Sequence, residues 1–132
     1  MLVDDRDVKD QAPPAFVAKV IAEIARRKGL QPERLSVARK RLDAREDRDL
    51  ASCGDDAGCL ATIGRELDAK LVVTIRLTKR EGAFLVAVTR INALRPQASD
   101  DAGTLAGTDA DALAAIPDAV AELFPEVELR AP

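Results

Sequence analysis

Cys53 and Cys59 are the side chains best suited to covalent chemistry in this chain, and they stand six positions apart around the short run GDDAG. Paired thiols serve as a structural disulfide, as a reactive dithiol or as part of a metal site. A thiolate at a helix amino terminus is stabilised, which favours reactivity at Cys59. Against that, C-x5-C is not the C-x-x-C of redox motifs, and Asp55 and Asp56 bring negative charge that disfavours a thiolate. A metal site lacks ligands, because the chain has no His and no second cysteine pair to complete a tetrahedron. The same lack of His removes the usual triads and Cys-His catalysis from what this chain can assemble alone. Paired acids remain, as Asp55 with Asp56, Asp100 with Asp101, and Asp109 with Asp111. Each pair reads as part of a loop or a helix start, where capping and solubility account for it. Gly54, Gly58 and Gly64 have neither the GxGxxG spacing nor the Lys-Ser/Thr of a phosphate loop. The expectation is a noncatalytic protein with no metal and no cofactor.

Composition narrows the setting. At 132 residues and 47% apolar content the chain fits one domain around one core. Three Phe are the only aromatics, so the core is aliphatic and the stacking platforms used for single-stranded nucleic acid are missing. A net charge of -3 with interspersed signs lacks the concentrated basic face that phosphate backbones require, so no nucleic-acid partner is expected. No apolar run approaches the roughly 20 residues of a transmembrane segment, and Met1 is not followed by a charged and then apolar leader.

The elements that position these residues follow from periodicity. Phe16, Val17, Val20, Ile21 and Ile24 share one face of a helix that Pro13 and Pro14 can open and Gly29 can stop, with Arg26, Arg27 and Lys28 at its negative end. Leu2 and Val3 fit a short first strand, cut short by the DDRD that follows. Leu30 to Ser52 reads two ways, and the pattern favours a short strand near Leu35 to Ala38 and then a solvated, charge-dense helix. Asp55 or Asp56 caps a further helix carrying Leu60, Ile63 and Leu67. Gly64 inside it costs about 1 kcal/mol relative to Ala, and is read as a close-packing contact with a sheet. KLVVTIRLTKR and AFLVAVTRINAL predict two strands joined by a hairpin at Glu81-Gly82. Arg95 to Thr108 fits a loop with at most one weak strand. Thr108 or Asp109 opens a final helix with Leu113, Ile116, Val120, Leu123 and Phe124 as its apolar stripe, interrupted at Pro117. The fold class expected is an α/β (α+β) sandwich, a mixed sheet of about four to five strands with a C-terminal β-hairpin, packed by three to four helices.

The succession C-x5-C, LATIGRELDAKLVVTIRL, a Gly hairpin, FLVAVTRINAL and DADALAAIPDAVAELF resembles bacterial cell-envelope domains related to the TolB amino-terminal domain and the CsgG-type secretion lipoproteins. Ile63-Gly64, Leu67, Ala69, Val72 and Val73 carry the IG-x-x-L-x-A-x-x-V-V signature, while Asp68 stands where those relatives have Gly, and Ile75-Arg76 replaces their Gly-Ser. The resemblance implies an α/β sandwich over nearly the whole chain. It implies a noncatalytic assembly or protein-contact module in the periplasm or at the outer membrane of a Gram-negative bacterium. Residues 1-132 would form a single domain, the mature or excised part of a longer envelope protein, with the leader absent from this chain. In that oxidising compartment Cys53 and Cys59 would pair as a structural disulfide, stabilising the fold by about 2 kcal/mol. The implied partner is a protein of the envelope, taken up by strand addition along the strand Phe84 to Leu94 or its neighbour, with Phe84, Val86, Val88 and Arg90 as candidate docking residues. Two alternatives are a small-ligand sensor with a pocket beneath Arg95 to Thr108, and a structural subunit that forms homo-oligomers through the hairpin, as CsgG-type relatives form rings.

Overall fold

The two longest apolar stretches, rich in β-branched residues, build the centre of the molecule. A computed structural model describes residues 1–130. Leu71–Arg80 (β3) and Ala83–Asn92 (β4) pair antiparallel along their full length, turning through Glu81 and Gly82. Both turn residues have positive φ, 50° and 82°, the geometry of a primed turn whose twist matches its strands. Leu2–Val3 (β1) runs parallel to β3 on its other side, and Glu33–Arg34 (β2) runs parallel to β1. Asp100–Ala106 (β5) pairs antiparallel with β4, giving the order β2-β1-β3-β4-β5. The mixed five-stranded sheet agrees with the expected class.

Helices cover the two faces unequally. On one face Val3, Val73, Ile75, Val86, Val88 and Ala102 pack beneath Pro14–Ala25 (α1), with Asp109–Ala114 and Ile116–Leu123 completing that layer. On the other face Leu2, Val72 and Ile91 meet Leu35–Ala38 (α2), Ala44–Ser52 (α3) and Ala57–Glu66 (α4) through Leu35, Leu50, Leu60, Ile63 and Leu67. The C-terminal pair, Asp109–Ala114 (α5) and Ile116–Leu123 (α6), is split where Pro117 enters the first turn of α6, the interruption that the sequence predicts.

Two expectations need correction. Leu35 to Ala38 is a helical turn, not a strand, and the strand is the preceding Glu33–Arg34. Leu35 and Ala38 are buried while Val37 is 49% exposed, so burial repeats every three residues and not every two. The second is one of extent: half of Arg95 to Thr108, read as a loop with one weak strand, forms the seven-residue strand Asp100–Ala106. Pairing with β4 supplies the order that its Asp- and Gly-rich composition does not.

Around the cysteines the local chemistry is closed. Asp56 caps α4 by accepting the Cys59 N–H at 2.8 Å, and Cys53 and Cys59 form a disulfide with Cα atoms 5.5 Å apart. The end of α3 is thereby joined to the first turn of α4. Asp68, with φ of 57°, ends α4 in a left-handed cap: Ala69 N–H donates to Gly64 O and Asp68 N–H to Arg65 O. A Cβ on Gly64 would lie 3.1 Å from Val72 Cγ2 and 3.2 Å from Ala93 Cβ. The glycine is there to let the helix approach the sheet.

Candidate functional site

The chain leaves β1 toward β2 on one side and later crosses to β3 on the other, so the strand order reverses at the carboxyl end of β1. In α/β sheets that reversal opens a crevice. Here it holds a buried charge cluster. Asp4 has no solvent exposure; its carboxylate accepts from Arg6 Nε and Nη2, both at 2.9 Å, and from Arg76 Nη2 at 3.4 Å. Arg6 also donates to Leu50 O at 3.0 Å and to Gly54 O at 2.6 Å, and so fastens β1 to the disulfide turn. A cleft of about 440 Å³ opens beside it between Asp5, Asp7, Gln11, Pro13 and Arg34. Asp5 accepts from the Ser36 N–H and Oγ and pairs with Arg34, so the polar groups of this crevice largely bind one another. Sequence reasoning treats DDRD only as a charged stretch. The missed signal is Asp4 and Arg6 at i and i+2 directly after a strand, which puts both on one side of the chain.

The candidate docking residues on β4 are placed elsewhere. β4 is an inner strand, paired to β3 over its whole length and to β5 from Phe84 to Arg90, so it offers no free edge. Val86 and Val88 are core side chains with no exposure, and Phe84 packs against the same core with Lys79 Nζ 5.8 Å from its ring. Arg90 donates to Leu123 O at 2.8 Å and to Glu126 at 2.6 Å, and lies 4.6 Å from the Phe124 ring. That hydrogen bond holds the Glu126 carboxyl below its ordinary range.

The free edge belongs to the neighbour, β5. Bonding phase follows from the ladder: Val73 O accepts from Asp4 N–H, Ile75 O from Ala12 N–H, and Leu77 N–H donates to Asp10 O, so these β3 residues face away from β4. Carried through the two registers, the phase turns Asp100, Ala102, Thr104 and Ala106 toward β4. The N–H and C=O groups of Asp101, Gly103 and Leu105 point outward, and among the described residues no backbone hydrogen bond from another segment reaches them.

The side chains of Asp101 and Leu105 lie on the sheet face that α2, α3 and α4 leave partly open, with the bare Cα of Gly103 between them. Leu85, Ala87 and Thr89 are their neighbours on β4. Leu105 is 67% exposed and borders a shallow cleft with Leu85, Ala83, Arg80 and Glu81. At the other end Thr89 Oγ1 donates to Asp101 at 2.6 Å. The acid pair Asp100 and Asp101, read as loop residues, therefore sits in a strand, whereas Asp56 caps a helix and Asp109 and Asp111 lie in the first turn of one. Among the described residues no group of three or more His, Cys, Asp or Glu side chains is placed to hold a metal, and no helix is long and apolar enough to cross a membrane. No family model, no curated protein and no solved structure matches this chain.

Proposed function

We propose that this chain is a noncatalytic protein-interaction or assembly module of the bacterial cell envelope, of the TolB amino-terminal and CsgG kind, and that it takes up a segment of a protein partner as an added strand on β5. The observation that carries the reading is the unpaired outer edge at Asp101, Gly103 and Leu105. Sheets protect such edges with Lys, Pro, bulges, very short strands or a covering element. The opposite edge follows the rule, since β2 has only two residues. β5 has seven, with neither Lys nor Pro; its charges, Asp100 and Asp101, stand at one end only, and Leu105 is exposed near the other. The disulfide supports a periplasmic or outer-membrane location, because such bonds persist in oxidising compartments. The order of strand, helix, strand, helices, hairpin is the one that the resemblance implies.

The test places a benzophenone photocross-linker at residue 105 and, as a control, at Leu94, which is equally exposed at 69%. Gly103→Pro removes one outward N–H and leaves the β4 ladder intact, because proline is tolerated on the solvent side of an edge strand. In native cells the probe at 105 gives a discrete adduct that Gly103→Pro abolishes. The same adducts from both positions, or persistence in the proline variant, would overturn strand addition at β5.

A further inference from the structure

We infer that the segment docking on β5 runs antiparallel to it with the pattern apolar–x–apolar–x–basic, its first apolar residue beside Leu105 and its basic residue beside Asp101. The inference rests on the β5-edge reading and adds the chemistry of the occupant. β5 already selects this pattern on its inner edge: Phe84, Val86, Val88 and Arg90 of β4 stand opposite Ala106, Thr104, Ala102 and Asp100. An apolar run ending in a basic residue thus meets a strand that changes from acidic to apolar. The outer edge repeats the gradient from Asp101 through Gly103 to Leu105, four residues or about 13 Å apart.

Each position on that edge has room and charge to offer. At the acidic end the Asp101 carboxylate lies on the same sheet face as Thr89, which donates to it. Asp100, Glu122, Glu126 and Arg90 instead border a hollow on the opposite, α6-covered face, and together add only to the negative field around that end of the strand. Arg90 is already paired with Glu126, and none of Asp100, Asp101 and Glu122 has an ion-pair partner among the described residues. At the centre, a Cβ on Gly103 would meet only Leu85 Cδ1 at 3.7 Å and Val86 O at 3.9 Å, so a bare strip of backbone lies open to a large side chain from the adjoining strand. At the far end Leu105 and Leu85 supply the apolar wall. A second copy of the chain fits poorly. Two β5 strands related by a two-fold at Gly103 would set Asp101 against Leu105 twice, so that each acidic end of the strand meets an apolar one.

The experiment measures fluorescence anisotropy of the labelled, end-capped peptide Ser-Leu-Thr-Val-Thr-Lys-Ser against the intact oxidised protein at low salt. A second peptide carries Glu in place of Lys, and a third has the Lys peptide's order reversed. The Lys peptide binds about three- to tenfold more tightly than the Glu peptide, the range expected for exchanging an attractive exposed pair for a repulsive one. Asp101→Lys inverts the preference, and Leu105→Glu weakens both peptides. Asp101→Asn, which keeps an acceptor for Thr89, removes the preference without inverting it. Equal binding of the Lys and Glu peptides would overturn the charge rule while leaving strand docking in place, and tighter binding of the reversed peptide would overturn the antiparallel direction. If no peptide binds and the protein is a dimer that Leu105→Glu dissociates, a second copy occupies the edge and the inference falls. No binding by a monomer would remove the β5-edge reading as well.

Discussion

Replacing Arg6 by Met should be among the most damaging single changes in this molecule, although Arg6 lies outside every helix and strand. Arg6 is 6% exposed and its side chain makes four hydrogen bonds, two to Asp4 and one each to Leu50 O and Gly54 O. Without it Asp4 stays fully buried, with Arg76 Nη2 at 3.4 Å as its remaining cationic partner. Removing one member of a buried pair costs about 3 to 5 kcal/mol, because the other charge is left uncompensated. A domain of this size has about 5 to 15 kcal/mol in total, so the variant folds at 25 °C with a Tm lower by about 10 to 20 °C. The double variant Arg6→Met with Asp4→Asn should cost less than the sum of the singles by about 1 to 3 kcal/mol, since the stranded charge is gone. Far-UV circular dichroism in urea is the suitable assay, because the chain has no Trp and no Tyr. A second readout is specific to the clamp. Arg6 holds the carbonyls on either side of Cys53, so dithiothreitol should reduce the Cys53–Cys59 bond faster in the variant. A loss below about 1 kcal/mol with no coupling between the two sites would refute the reasoning.

Gly64→Ala should destabilise by about 1 kcal/mol in a urea melt, as crowding against Val72 and Ala93 costs more than the better helix propensity returns; a gain in stability would show that the sheet yields. Asp68→Gly should stabilise by about 0.5 to 1 kcal/mol, because Asp68 holds a φ of 57° that glycine adopts without a Cβ penalty, and an unchanged Tm would refute this. Hydrogen bonding to the neighbouring Glu46 carboxyl raises the Glu66 pKa above 4.5, so stability present at low pH is lost as pH rises through the folded value. Glu66→Gln should therefore raise Tm slightly at pH 7 and leave it unchanged at pH 3. Glu33, held below 4.5 by Arg41, has the opposite sign: its contribution is complete above the ordinary glutamate value and fades as pH falls through the lower folded one, and Glu33→Gln should flatten that acid limb of the Tm profile.

The sequence alone determined what is encoded within a few residues. Helix α1 follows from the spacing of Phe16, Val20 and Ile24, the β3–β4 hairpin from alternation around Glu81-Gly82, and the break at Pro117 from the missing N–H of proline. The cap of α4 by Asp56 and the packing role of Gly64 were legible for the same reason, since both act within one helix or against the next strand. Tertiary structure decided the rest. Leu35 to Ala38 carried signals for both periods, and burial of Leu35 and Ala38 against the α3–α4 layer settled it as helix. β5 became a strand because β4 offered it seven paired positions, and that pairing turned the proposed edge at Phe84, Val86, Val88 and Arg90 into the interior of the sheet. Asp4 and Arg6 are two residues apart, but Arg76 is 72 residues from Asp4, and no local pattern brings its charge to theirs or buries all three. Hydrophobic periodicity is a property of one segment, whereas which edge stays open and which charge is buried depend on the order in which segments pair.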